Sequence, residues 1–146
     1  MSLSRTLAAA GAAVLVCSVL AGCGGDSTLS AKEFRSQANK LCADANKDTE
    51  TYGAKVTQTS SDAEVTEAID RTVKRNEKLV ADIDALEAPT SLADDVDSML
   101  TSVRAGMKEL DKISSVQDLT SFDASSGPLK DANDKAVKLG LDTCGE

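Results

Sequence analysis

From residue 30 onward the sequence predicts an all-α protein, an antiparallel four-helix bundle with one disulfide. The first observation is that apolar residues recur three or four positions apart over long stretches, which is the spacing of one helix face. The second is the Ser-x-x-Glu capping box that begins two of those stretches, at Ser30 and at Ser61. The third is the short turns between the stretches, because short turns make consecutive helices antiparallel neighbours.

Residues 1–22 have the layout of a secretory signal peptide. Arg5 is the one charged residue among them, and an uncharged run rich in Leu, Val and Ala extends from Leu7 to Ala21. This run has the length of a signal core and is shorter than the roughly 20 residues that a membrane-spanning helix needs. Cys17 lies inside it, so we expect this cysteine to be removed with the signal.

The segment Leu20-Ala21-Gly22-Cys23 ends the apolar run and resembles the lipobox of bacterial lipoproteins. The resemblance implies that the Cys23 thiol receives a diacylglycerol group and that the signal is cut just before it. The alternative is a simple secretory signal or an N-terminal anchor helix. On the lipoprotein interpretation, residues 23–29 are a lipidated tether that reaches about 20 Å, and residues 30–146 are the helical domain.

Helix 1 is predicted over residues 30–57 and helix 2 over residues 61–87, with Ser30 and Ser61 as N-caps. Pro89 ends helix 2, because proline disfavours helical geometry in the residue before it. The expected apolar faces are Phe34, Ala38, Leu41, Ala45, Tyr52 and Val56 in helix 1, with Cys42 at the edge, and Val65, Ile69, Val73, Val80, Ile83 and Leu86 in helix 2.

Helix 3 is predicted over residues 91–113 with Ser91 as its N-cap, and helix 4 over residues 128–139. Between them we expect a short helix or turn over residues 118–123 and a break at Gly127, after which Pro128 suits a first helical position. Gly140 and Leu141 fit a Schellman cap. The expected apolar positions are Leu92, Val96, Met99, Leu100, Val103, Met107, Leu110 and Ile113 in helix 3, and Leu129, Ala132, Ala136, Val137 and Leu139 in helix 4.

A basic stripe on helix 2 has two interpretations. It could dock an acidic partner or lipid head groups. However, Glu67 and Asp70 stand four residues before two of its members, an order that favours ion pairs along a solvated face. We therefore predict a solvated face for the four residues of the stripe, which are Arg71, Lys74, Arg75 and Lys78.

An acidic cluster at the start of helix 3 also has two interpretations. Asp94, Asp95 and Asp97 could suggest a calcium site, but the sequence lacks the glycine turn and the distal Glu of a calcium-binding loop. Acids at the start of a helix and bases towards its end complement the helix dipole. We predict the dipole role and no metal.

The composition disfavours several classes of function. Without residues 1–22 the chain keeps 124 residues, enough for one domain, and the loss of Arg5 takes its formal charge from −8 to −9. An acidic surface argues against nucleic acid and against anionic lipid as partners. The chain has no His, no Trp, one Tyr and two Phe, so the commonest general base, the commonest metal ligand and aromatic platforms are scarce or missing. We expect no catalytic residue, metal or cofactor.

Two cysteines remain if Cys17 is removed and Cys23 is lipidated, so Cys42 and Cys144 can form one intramolecular pair. An oxidising compartment favours a disulfide. In the chain-entropy model, closing a loop of about 100 residues stabilises a fold by up to roughly 4–5 kcal/mol. The alternative is a pair of free thiols for redox chemistry or metal binding.

Three segments of the domain form a recognisable set, and they are residues 34–45, Leu86-Glu87-Ala88-Pro89, and Leu139-Gly140-Leu141-Asp142-Thr143-Cys144. Together they resemble a plan shared by small actinobacterial lipoproteins and secreted proteins. The resemblance spans most of residues 30–146, and Leu139 departs from it because many relatives have an aromatic residue there. It implies a helical fold and the Cys42–Cys144 pairing. The family has no assigned function, and no catalytic residue carries over.

The sequence therefore predicts a non-catalytic lipoprotein on the outer face of the cell membrane. It would be a binding or scaffolding module for another envelope protein, held at the membrane by the lipid on Cys23. The alternative is a carrier of a small apolar ligand or lipid, since faces rich in Ala and Val can leave a cavity between helices. An enzyme is disfavoured, because the sequence has no Gly-x-Ser-x-Gly elbow and no convincing Ser-x-x-Lys set.

Overall fold

A computed structural model of the chain describes residues 29–145, and every regular element in that range is helical. The predicted signal peptide and Cys23 lie outside the described residues. The elements in order are α1 (Ala31–Gly53), α2 (Asp62–Asp84), α3 (Ala93–Leu110), α4 (Val116–Ser121), α5 (Gly127–Leu139) and a terminal 3₁₀ turn (Asp142–Cys144). The prediction of an all-α domain with four longer helices is confirmed.

Both predicted capping boxes are present. The Ser30 hydroxyl accepts from the Glu33 N–H (3.3 Å), and the Ser30 N–H donates to the Glu33 carboxylate (3.0 Å). Ser61 and Glu64 make the same reciprocal pair at the start of α2. These bonds satisfy amide groups that have no partner within the helix. The Ser30 hydroxyl also donates to the Glu33 carboxylate (2.6 Å), and this bond, together with the one from the Ser30 N–H, holds the pKa of Glu33 below its ordinary value.

The first three helices end earlier than predicted. Helix α1 stops at Gly53 rather than near residue 57, α2 stops at Asp84 rather than at residue 87, and α3 stops at Leu110 rather than at residue 113. Glu87 has a φ of 50°, a left-handed backbone conformation that a continuing helix cannot contain. The chain therefore leaves helical geometry before Pro89, and the proline is not what ends α2.

The predicted N-cap of helix 3 is wrong. Leu92 and not Ser91 occupies that position, and no side chain caps the helix. The Pro89 carbonyl accepts from the N–H groups of Leu92 (2.7 Å) and Ala93 (3.1 Å). A backbone carbonyl thus pairs the first amide of α3, and a serine hydroxyl is not needed there.

The end of α5 forms the predicted Schellman cap. Gly140 has a φ of 76°, and its N–H donates to the Val137 carbonyl (3.0 Å). The Leu141 N–H donates to the Ala136 carbonyl (2.8 Å), which completes the motif. This reversal returns Leu141 to the core, where its side chain is fully buried.

The terminal turn is fastened to α1 by a disulfide. Cys42 and Cys144 are bonded, with their Cα atoms 5.0 Å apart, and the predicted pairing is therefore present. The expected place of Cys42 at the edge of the apolar face is wrong, because its side chain is buried in the middle of that face. Leu41 takes the edge position and is partly exposed.

Polar side chains of α1 reinforce this attachment. Arg35 donates through Nε to the last carbonyl of α5 (2.6 Å). The Asn39 amide donates to the Gly140 carbonyl and accepts from the Thr143 N–H, both at 3.1 Å. Asn46 donates to the Thr143 carbonyl (2.9 Å). The backbone groups after α5, which no longer have helical partners, are thereby satisfied.

The main core lies between α1, α2, α3 and α5. Leu79, which the predicted face of helix 2 omitted, belongs to this core, whereas Val137, predicted on the apolar face of helix 4, is 53% exposed. The buried residues of the core are Phe34, Ala38, Cys42, Ala45, Leu79, Val80, Ile83, Val96, Met99, Leu100, Met107, Ala136, Leu139 and Leu141.

A second, smaller apolar cluster lies between the start of α2 and the segment that follows α3. Val65, Ile69 and Ile113 are its buried residues, and Leu119 of α4 and Phe122, which directly follows α4, pack against them. Helix α4 begins two residues earlier than the predicted short helix, because the hydroxyl of Ser115 caps it. This helix covers apolar surface that the four longer helices leave open.

Helix α3 is buried on a second face, which the sequence analysis did not predict. Gly106 lies against Leu129 of α5, so close that an added Cβ would overlap the Leu129 side chain. Ser102, also buried, accepts a hydrogen bond from Lys135 Nζ of α5 (2.8 Å). Small residues on this face let α3 and α5 approach closely.

We expect Gly106→Ala to destabilise the protein. The new methyl would displace Leu129, and such overpacking costs about 1–3 kcal/mol, against a gain of roughly 0.5–1 kcal/mol from replacing a helical glycine. Gly53→Ala is the matched control, since a Cβ there meets nothing within 4 Å. Urea unfolding should show a lower midpoint for the first variant and an equal or higher one for the second. Equal midpoints for the two variants would contradict the close α3–α5 packing.

Candidate functional site

A cavity of about 130 Å³ lies in the main core beside the disulfide. All four longer helices contribute to its wall, and Cys42 and Cys144 form part of it. Well-packed interiors have few voids larger than a water molecule, so a space of this size is notable in a small domain. Its apolar wall includes Leu79, Met99, Leu100, Val103 and Leu129.

Three asparagines supply the polar part of the cavity wall. Asn46 and Asn76 are half-buried and donate through Nδ2 to the backbone carbonyls of Thr143 and Thr72, both at 2.9 Å. Asn133, also half-buried, makes no side-chain hydrogen bond with any residue from 29 to 145. No charged side chain in that range lines the cavity. The cavity therefore offers apolar surface and neutral amide groups.

The asparagines are functional candidates that the sequence reading missed, although a signal for one of them was present. Asn76 fills the gap in the apolar series of helix 2 between Val73 and Val80, three residues after one and four before the other. A polar residue at such a position faces the core and needs a partner or a cavity. Asn133 stands in a similar place, three residues before Ala136 of α5.

A wider groove separates α2 from α3 at the surface, with a volume of about 580 Å³. Its floor is apolar and includes Val80 and Met107. Its α2 edge is acidic, and its α3 edge carries two bases and one acid. The charged residues are Glu77 and Asp84 on the first edge, and Arg104, Lys108 and Asp111 on the second.

The basic stripe on α2 is in part a solvated face, as predicted. Arg71 pairs with Glu67 (2.6 Å), and both side chains are about half-exposed. Lys78 pairs with Asp82 (2.6 Å), whereas the expected pair between Asp70 and Lys74 is not among the ion pairs of residues 29–145. Two of the four stripe residues, Arg71 and Lys78, are thus exposed and neutralised by a neighbour within α2, and Lys74 is exposed without such a pair among residues 29–145.

Arg75 does not belong to that solvated face. Its side chain is 15% exposed and donates through Nε to Asp48 of α1 (2.7 Å). Its Nη1 atom is buried and has no hydrogen-bond partner among the described residues. The prediction is wrong here because helix packing turns this position towards α1, and periodicity within α2 does not show where α1 lies. Arg75 is a packing residue and is not available to dock a partner.

The acidic cluster lies at the start of α3. Asp94 and Asp95 are in the first turn, and Lys108 is in the last turn, which is the arrangement that complements the helix dipole. Within the described part of the chain, no three potential ligand side chains are grouped so that they could hold a metal ion.

Among residues 29–145, no helix is both long enough and apolar enough to cross a membrane. Comparison of the chain with protein-family models, with curated proteins and with solved structures finds no match. The lipoprotein resemblance and the lipidation of Cys23 therefore stay predictions.

We expect Asp48→Ala to destabilise the protein by about 1–2 kcal/mol, because it leaves the mostly buried Arg75 without its carboxylate partner. The expected loss is smaller than for a fully buried ion pair, because the Asp48 side chain is half-exposed. Glu67→Ala is the matched control. It breaks an exposed ion pair of similar length, and such pairs contribute roughly 0–1 kcal/mol. Urea unfolding of both variants measures the difference, and an equal loss in the two would show that Arg75 is not held by Asp48.

Proposed function

We propose that the protein is a lipoprotein anchored to the outer face of the cell membrane and that it acts there as a non-catalytic binding module. In this proposal residues 1–22 are removed and Cys23 carries the lipid. The supporting observation is the Leu20-Ala21-Gly22-Cys23 lipobox after a signal-like run. The acidic character of the chain agrees with it, since an acidic surface has no attraction for anionic lipid, so the attachment is covalent.

The anchor would hold the domain close to the membrane. Leu29 already packs against the main core, and α1 begins at Ala31. The six residues that follow Cys23, from Gly24 to Leu29, can therefore extend about 20 Å at most. A domain on so short a tether meets partners within the envelope layer next to the membrane.

The four longer helices form, in this proposal, an antiparallel bundle. The short connections between α1, α2 and α3 support it, because they bring consecutive helices side by side. Contacts between α1 and α2, between α2 and α3, and between α3 and α5 agree with that order.

The α2–α3 groove is the surface that we assign to an envelope protein partner. An apolar floor with a charged rim is the usual composition of a protein interface. The acidic α2 edge and the largely basic α3 edge would orient a helical segment with complementary charges on its two sides. The groove thus favours a protein partner.

A second candidate function is that of a carrier, and the cavity beside the disulfide supports it. The cavity lies between helices, as that hypothesis requires, and part of its wall is apolar. Its volume of about 130 Å³ favours a small guest over a lipid tail. Native mass spectrometry of protein purified from its own cell envelope would show the guest as added mass.

We predict that Cys23→Ala abolishes lipidation. In a bacterium that processes lipoproteins, the unchanged protein should incorporate an alkyne-tagged fatty acid and sediment with membranes, whereas the variant should not be labelled. Cys17→Ala is the matched control, because its cysteine lies in the segment that is removed, and it should behave as the unchanged protein does. A Cys23→Ala variant that is still labelled would overturn the anchor.

We predict that a photo-crosslinking amino acid in place of Ala81 captures a specific envelope protein in intact cells, because this exposed residue lines the α2–α3 groove. The same replacement at Glu50, which is exposed on α1 and outside the groove, is the control. Mass spectrometry would identify the adduct, and Arg104→Glu with Lys108→Glu should remove it. Equal adducts at both positions, or none at either, would count against the groove.

A further inference from the structure

We propose that the cavity beside the disulfide is a binding site for a small, uncharged molecule with a ring-sized apolar body and one hydrogen-bonding head group. This inference rests on the carrier function and gives it a ligand class. It does not depend on the membrane anchor, because every residue that lines the cavity belongs to the folded domain.

The volume sets the size of the guest. An engineered apolar cavity of about 150 Å³ in another protein binds benzene. The present cavity, at about 130 Å³, matches a single six-membered ring or a branched chain of similar bulk. A long acyl chain or a nucleoside needs more room than this.

The wall excludes charged guests. Charged residues make up 27% of the chain, yet no charged side chain among residues 29–145 lines the cavity. A carboxylate or an ammonium group would lose its hydration there without gaining an opposite charge, which is costly in a protein interior. A neutral molecule does not have this cost.

The asparagines select a hydrogen-bonding head group. The amide nitrogens of Asn46 and Asn76 are engaged with backbone carbonyls, and their side-chain oxygens make no hydrogen bond with the described residues. Asn133 has both its amide oxygen and its amide nitrogen without a described partner. A hydroxyl or an amide on the guest can donate to these oxygens and accept from Asn133.

Burial defines the orientation of the guest. Met99 and Leu100, at the inner end, are 2% and 1% exposed, whereas the three asparagines are half-buried. The apolar body of the guest therefore lies against the inner residues, and its head group lies among the amides nearer to solvent. Water can occupy the empty site and is displaced when the guest enters.

The test uses the mature protein with three probes of the same ring size, which are phenol, benzene and benzoate. Isothermal titration calorimetry measures affinity, and NMR shifts of Val103 and Leu129 report on the cavity. Phenol should bind best, benzene more weakly and benzoate not at all. Failure of phenol and benzene to shift the lining residues at millimolar concentration, or benzoate binding as well as phenol, would overturn the proposal.

Two variants locate the binding. Asn133→Ala should weaken the binding of phenol by roughly 2–10-fold, the value of one hydrogen bond, and leave the affinity for benzene unchanged. Ala132→Leu adds bulk at a buried lining position and should abolish the binding of both phenol and benzene. Ala63→Leu, at an exposed position in the first turn of α2, should change neither affinity. If Ala132→Leu does not fold, the ratio of phenol affinity to benzene affinity in Asn133→Ala still tests the proposal. A ratio equal to that of the unchanged protein would overturn the assignment of the asparagines to a head group.

The outcome is separable from those of the proposed functions. Repeating the titrations on the Cys23→Ala chain tests the cavity without the anchor, and the same affinities are expected. Phenol binding together with no copurified mass in the envelope sample would overturn the physiological carrier function and support the site. An anchored protein that binds none of the neutral probes would overturn the site alone.

Discussion

The link between the middle of α1 and the terminal turn is the constraint on which the rest of the structure depends. The Cys42–Cys144 disulfide joins residues 102 positions apart, and in the chain-entropy model a loop of that size contributes about 4–5 kcal/mol. Asn39 and Asn46 set the position of the turn relative to α1 by pairing its backbone groups. Since the turn also packs against α5, it closes the series of contacts that runs from α1 through α2 and α3 to α5.

The cavity lies beside the same link. The terminal turn contacts both α1 and α5, Asn46 donates to it, and the two disulfide cysteines form part of the cavity wall. Ala132, Ala136 and the asparagines meet where larger apolar residues would give a solid core. The α3–α5 contact shows the opposite use of small residues, because Gly106 removes volume where Leu129 fills it. One composition, rich in small side chains, thus gives both a tight contact between α3 and α5 and a cavity, and Leu129 of α5 takes part in both.

The charged residues divide by where packing places them. Lys78 and Arg71 lie on the surface in local ion pairs that depend on spacing within α2. Arg75 has the same spacing and a different role, because α1 packs over it and supplies Asp48. Periodicity along one helix predicts which residues share a face. It does not predict which neighbouring helix covers the edge of that face, and the mistake at Arg75 follows from that limit.

Local chemistry in the sequence was enough to predict the helical class, the capping boxes at Ser30 and Ser61 and the chain reversal at Gly140. Each of these features depends on residues within one or two turns of a helix. Counting cysteines, with the expected loss of Cys17 and Cys23, left Cys42 and Cys144 as the one possible pair. It did not decide between a disulfide and two free thiols, and the family resemblance implied the disulfide that the structure contains. Tertiary structure decided the role of Arg75, the second buried face of α3 and the cavity with its asparagines. These features depend on where one helix meets another, and a distance between helices has no counterpart in the spacing of residues along a single one.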